Sequence, residues 1–173
     1  MPKFDDSMLY LLSEKEQDQA HYEATVLQEE SEKAGDENMR DLPEKDAFKR
    51  HLIGAAGEIA LAGYLDVKNI RKFMPNTYKT MADLGLDIDV KTTACKKGFM
   101  IGAKINFRDD LKWRYPIVYY DYPRMYILGW HYGWYIKAHG DFTDFGIKSR
   151  PKIYFLHYSK LLPIRRGSGL IWD

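Results

Sequence analysis

The order of its segments predicts an α/β (α+β) protein, with helices first and short strand-like runs after them. Three observations carry that prediction. Ser13-Glu14-Lys15-Glu16 reads as a capping box that opens a helix from about Glu14 to Lys33. A second helix runs from about Glu44 to Leu65, with apolar residues crowding in after His51. Beyond Asp66 the pattern changes to alternation and aromatic density, culminating in ten aromatic residues among the 23 positions from Trp113 to Tyr135. The expected architecture is one mixed sheet whose central strand includes Ile88–Thr92, with the second helix packed beside it and Ile88 and Val90 buried.

Taken in order, the first helix carries only a thin apolar stripe of Ala20, Ala24, Val26 and Leu27. It therefore either lies lightly on the body or meets another chain, and a homodimer through it is one such arrangement. Gly35 is a plausible stop for this helix, and Asp36–Pro43 reads as a polar loop. Val67–Met74 reads as a short strand and Pro75-Asn76 as a turn. Asp87–Thr93 alternates with period two, Phe99–Ile105 suggests another strand, and Ile153–His157 a further one. Gly167–Asp173 reads as a tail. The aromatic run is broken at Asp121–Pro123 and at Gly133, and its rings are mostly expected to be sheet core, with a minority left to stack on unpaired bases.

Length and composition suit one globular unit. The chain has 173 residues, 45% of them hydrophobic and 29% charged. A single cysteine, Cys95, allows neither an internal disulfide nor a thiolate metal cluster, which points to a reducing setting. The start, MPKFDDSMLYLLSEKE, has acidic flanks rather than a basic n-region. The longest weakly polar stretch, Leu52–Leu65, is too short for a bilayer and contains a carboxylate. The expectation is a cytoplasmic, intracellular protein with no membrane partner.

The net charge of +1 hides a division. Residues 1–46 hold 14 acidic and 5 basic side chains, a net of −9, and form an acidic helical arm. Residues 47–173 hold 11 acidic and 21 basic side chains, a net of +10. A basic body attracts polyanions, so the asymmetry tilts the reading toward nucleic acid. Lys148, Arg150, Lys152, Lys160, Arg165 and Arg166 form a basic C-terminal segment, by default a solvated surface and alternatively a phosphate contact.

Three stretches carry candidate chemistry. Residues 52–65, LIGAAGEIALAGYL, hold one charge, Glu58, among small and apolar residues. A carboxylate in such surroundings asks for compensation, although a lone helical Glu more often reaches solvent. In Asp87-Ile88-Asp89-Val90-Lys91-Thr92-Thr93, Ile88 and Val90 share one face of a strand. Asp87, Asp89 and Lys91 share the other. Asp83-Leu84-Gly85 lies just upstream, and Gly85 permits a tight turn toward Asp89. Each stretch alone has an ordinary structural explanation.

Together, GAAGE (54–58), ADLG (82–85) and IDVKTT (88–93) resemble the PD-(D/E)xK nuclease superfamily. The resemblance spans roughly residues 50 to 93 by motif. It implies a restriction-endonuclease-like fold over 47–173, a mixed sheet flanked by helices, with residues 1–46 as the N-terminal helical arm. It also implies a metal-dependent nuclease acting on phosphodiester bonds, DNA ahead of RNA, with Glu58, Asp83, Asp89 and Lys91 as catalytic residues. Asp83, Asp89 and Glu58 would hold Mg²⁺ or Mn²⁺, hard cations suited to carboxylate and phosphate oxygens. Asp83 lacks the preceding proline and stands only six residues before Asp89, so Asp87 competes for the first metal position.

The rivals are a catalytically inactive binding module of the same fold and a regulatory protein acting through its acidic arm. The histidines at 21, 51, 131, 139 and 157 show no zinc-ligand spacing, and His131 and His139 are read as flanking an aromatic strand. No P-loop, G-x-S-x-G or G-x-G-x-x-G run is present.

Overall fold

The structure, a computed structural model, describes residues 4–34, 44–67, 83–85, 87–106, 109–146 and 151–169. The expected strand over Val67–Met74, the Pro75-Asn76 turn and the Gly35 helix stop lie wholly or mainly outside these residues. Three α-helices occur among the described residues: α1 (Glu14–Ala34), α2 (Glu44–Leu65) and α3 (Gly133–His139). The strands are β1 (Leu9–Leu11), β2 (Lys91–Thr93), β3 (Gly102–Ile105), β4 (Arg114–Asp121), β5 (Arg124–Tyr132), β6 (Asp141–Thr143) and β7 (Ile153–His157). The protein belongs to the α+β class.

The capping box forms at the start of α1. The Ser13 backbone N–H donates to Glu16 Oε2 at 2.8 Å, and the Glu16 N–H donates back to Ser13 Oγ at 3.4 Å. Helix α2 is hydrophobic nearly all round in its second half, with Ala55, Ala56, Ile59, Ala60, Leu61, Ala62 and Leu65 all buried. Such a helix must be covered on several sides. Helix α1 supplies one cover, and its Ala20 and Ala24 are fully buried in the same core.

Among the described residues there are two sheets rather than the single one expected. A four-stranded mixed sheet runs β1-β5-β4-β2, and a three-stranded antiparallel sheet runs β3-β7-β6. The strand carrying Lys91 pairs in parallel with β4 and lies at the edge of its sheet among the described strands, not at the centre. Leu9–Leu11, near the N-terminus, forms β1, which precedes α1 and pairs antiparallel with β5. The aromatic stretch forms the β4–β5 hairpin around a cis Tyr122–Pro123 bond. It then turns helical, because Gly133–His139 is α3. His131 therefore lies within β5 and His139 is the last residue of α3, so the two do not flank a strand.

The mixed sheet separates two cores. Val118, Met125, Ile127 and Trp130 meet α1 and α2 on one side. Tyr115, Ile117, Tyr119 and Leu128 meet β3, β7 and α3 on the other. The change of phase along β5 has a cause. Ile117 pairs with Gly129 and Val118 with Ile127, so Leu128 is the extra residue of a bulge. Gly129, at φ +130°, follows it, and any Cβ there would meet the Leu162 carbonyl at 2.4 Å. This close approach lets the C-terminal segment bridge to β5 through Trp130 and Leu162, whose mutual N–H···O bonds are 2.9 Å.

Candidate active site

Helix α2 sets the back wall of the site. A Cβ on Gly57 would fall 2.9 Å from Thr92 Cβ and still closer to its hydroxyl, so only glycine lets the helix sit on β2 here. Ile88 and Val90 are buried in the helix-side core with α2. By the alternation of extended backbone, Asp89 and Lys91 project from the opposite face. Tyr115, in the second core, confirms the direction, for Lys91 Nζ stands 5.5 Å from its ring centroid.

A tight turn brings Asp83 back to this strand. The Asp83 and Leu84 N–H groups both donate to the Ile88 carbonyl, at 2.7 and 3.0 Å, and Ile88 N–H returns a bond to Leu84 O at 3.3 Å. Gly85 takes φ +61°, a left-handed conformation that glycine adopts without steric cost. The Asp83 Oδ2 then accepts the Val90 backbone N–H at 2.7 Å. Its carboxyl group also lies within side-chain hydrogen-bonding reach of that of Asp89. Lys91 Nζ pairs with Asp89 Oδ2 at 2.7 Å.

The electrostatics follow from this crowding. Burial, then the Asp89 charge, push the Asp83 carboxyl up to about 7, against the opposing pull of the Val90 N–H and Lys91. For Lys91, burial works to lower the ammonium, but the charges of Asp89 and Asp109 outweigh it and hold it above its ordinary value. Asp109 belongs to a loop not singled out from sequence. Tyr115 hydroxyl donates to the Asp110 carbonyl at 2.8 Å, which fastens this loop beside Lys91. The Asp109-Asp110 pair was visible in the sequence, but nothing there tied it to the site.

Asp87 is engaged elsewhere. Its carboxylate takes a two-point pair from Arg114, Nε at 3.0 Å and Nη2 at 2.7 Å, which fastens the turn to the start of β4. Of the two competitors for the first acidic position, Asp83 is the one beside Asp89. Glu58 follows Gly57 on α2 and is half-buried. No group of three or more His, Cys, Asp or Glu positioned to hold a metal ion occurs among the described residues. Asp83 and Asp89 are the expected carboxylates that the described contacts bring together. That pair still suits a hard divalent cation, because adjacent carboxylates in a half-buried site are held together by a proton or by a cation.

Compared with known proteins, the chain matches no family model, no curated protein sequence and no solved structure. No helix among the described residues is long and apolar enough to cross a membrane.

Proposed function

We propose that this protein is a metal-dependent nuclease that hydrolyses phosphodiester bonds, with DNA ahead of RNA as substrate. The observation that carries the reading is the contact between Asp83 and Asp89 with Lys91 bound to the second of them. Asp83 and Asp89 would hold Mg²⁺ or Mn²⁺. When bound, such an ion lowers the pKa of a water and polarises the phosphate. The Val90 N–H fixes the angle of the Asp83 carboxylate toward Asp89. Lys91, kept charged by Asp89 and Asp109, offsets negative charge that develops on the phosphate. Glu58 enters as a third ligand only through the resemblance of GAAGE to the superfamily motif. The basic body, net +10 over residues 47–173, favours a polyanionic substrate.

One observation favours a second reading, a binding module that has kept the frame without the chemistry. Lys91 Nζ already pairs with Asp89 Oδ2 and the Val90 N–H with Asp83 Oδ2, contacts that hold both carboxylates in place without a cation. A single experiment separates the two. Wild type, Asp89→Asn and Lys91→Ala are incubated with plasmid, linear duplex, single strand and RNA, each with Mg²⁺, Mn²⁺ or EDTA. The nuclease reading expects metal-dependent products from wild type and a loss of about a hundredfold or more in each variant. Wild type that binds nucleic acid and cuts none of these with either metal supports the module.

A further inference from the structure

A second surface, formed by α3, β6 and β7, has a chemistry of its own. Phe142 of β6 and Tyr154 of β7 are directly opposed in register, with ring centroids 4.9 Å apart. Lys137 of α3 caps one end of this pair, its Nζ 5.8 Å from the Tyr154 ring. Lys152 caps the other, 5.9 Å from the Phe142 ring. Trp134 precedes Lys137 by three positions and so lies on the same side of the helix. Its ring runs nearly parallel to that of Tyr132, at 17° and 6.1 Å. Phe142 and Trp134 are 57% and 52% exposed, unusual for large rings in a protein that buries so many others. Asp141, next to Phe142, pairs across with Phe155 and therefore belongs to the other face.

The stripe thus runs Trp134, Lys137, Tyr154, Phe142, Lys152, with rings and ammonium groups interleaved. An ordinary hydrophobic interface is depleted in lysine, so a protein partner fits this composition poorly. Rings that stack on flat partners, with ammonium groups 5.8 and 5.9 Å from Tyr154 and Phe142, suit a strand whose bases are unpaired and whose phosphates lie beside them. A duplex hides the faces of its bases and would engage the lysines alone. The stripe also connects with the candidate active site. Trp134 N–H donates to Leu111 O at 2.8 Å and Gly133 N–H to Trp113 O at 3.0 Å. Helix α3 is thereby anchored on the loop that sets Asp109 beside Lys91.

We propose that this stripe binds an unpaired nucleic-acid strand, with bases on Phe142, Tyr154 and Trp134 and phosphates on Lys137 and Lys152. Its role in choosing single-stranded substrate rests on the nuclease reading, whereas the binding itself does not. The test is fluorescence anisotropy in EDTA, where no metal-dependent cleavage occurs, using a labelled oligothymidine strand and a duplex of equal length. Wild type should prefer the single strand. Trp134→Ala and Phe142→Ala should each weaken that binding by about tenfold. Phe142→Leu, which keeps apolar bulk and removes the ring, should weaken it as well. Lys137→Gln and Lys152→Gln should each reduce the salt slope by about 0.7. All these side chains except Tyr154 are exposed, and thermal melting checks that each variant is folded. Equal affinity for strand and duplex, or folded ring variants that bind like wild type, would overturn the proposal. Protein that binds in this way yet cuts nothing with Mg²⁺ or Mn²⁺ would remove the nuclease reading and leave the stripe standing.

Discussion

Asp83 is where sequence spacing and folded chemistry part company. It stands six positions before Asp89, and Asp87 stands nearer along the strand, yet Asp83 makes the contact. The reason is the turn at Gly85, whose positive φ reverses the chain. Arg114, which comes 27 residues later, takes Asp87 out of contention. Asp83→Asn should therefore abolish metal-dependent cleavage, whereas Asp87→Asn should keep most of it and lower the melting temperature. The raised carboxyl also makes a stability prediction. An ordinary Asp titrates near 3.8, and Asp83 in the fold near 7. Between those values the folded state keeps a proton that the unfolded chain has lost, so stability falls as pH rises through that window. Below it, both states are protonated and the group contributes no slope. Melting without divalent metal should therefore show a lower temperature at pH 8 than at pH 5. Asp83→Asn should flatten the trend, and Mg²⁺ should raise the pH 8 value in wild type but not in Asp89→Asn. A wild-type profile that does not fall across the window would mean that Asp83 is not held protonated.

Helix α2 shows at the next scale how two similar glycines differ. Gly57 faces Thr92 at a distance no Cβ tolerates, while a Cβ on Gly54 would meet nothing within 4 Å. Gly57→Ala should cost about 1–3 kcal/mol through overpacking and displace β2 with its Asp89-Lys91 pair. Gly54→Ala should stabilise the protein by up to about 1 kcal/mol through helix propensity. Denaturant unfolding of the two variants checks both signs. The two long helices were legible because capping and small-residue crowding act locally. The burial of Ile88 and Val90 was legible because alternation marks a strand face. Other features were hidden because they depend on distant partners. The edge position of β2 depends on which strands flank it. The bulge at Leu128 depends on the approach of Leu162. Helix α3 sits inside a run whose aromatic content reads as strand, and its course is set by hydrogen bonds to Leu111 and Trp113. The three-residue β1 is too short for any periodicity to declare itself.

Across the whole molecule, the division of charge invites the idea that residues 1–46 act as a detachable regulator, because an arm of −9 would screen a body of +10. Deletion would then leave a folded body that binds nucleic acid more tightly and with a steeper salt dependence. The contacts of this segment argue for a structural part instead. Ala20 and Ala24 of α1 are fully buried against α2, and Leu12 is only 2% exposed. Strand β1 covers the outer edge of β5, and its loss would open a row of unpaired backbone groups. The C-terminal segment depends on it too, since Arg166 donates to the Leu9 carbonyl at 2.6 Å and Tyr64 hydroxyl links Ser7 O to Ile164 O. The thin stripe read from sequence was small because alanines let two helices approach closely, not because the contact is slight. Removing residues 1–46 should therefore yield protein without a cooperative thermal transition, with Ala-lined α2 exposed and prone to association. The milder variant Ala20→Asp, Ala24→Asp should lower the melting temperature strongly in the full chain, since it buries two uncompensated charges. A deletion variant that melts cooperatively and binds nucleic acid more tightly at low salt would restore the regulatory arm.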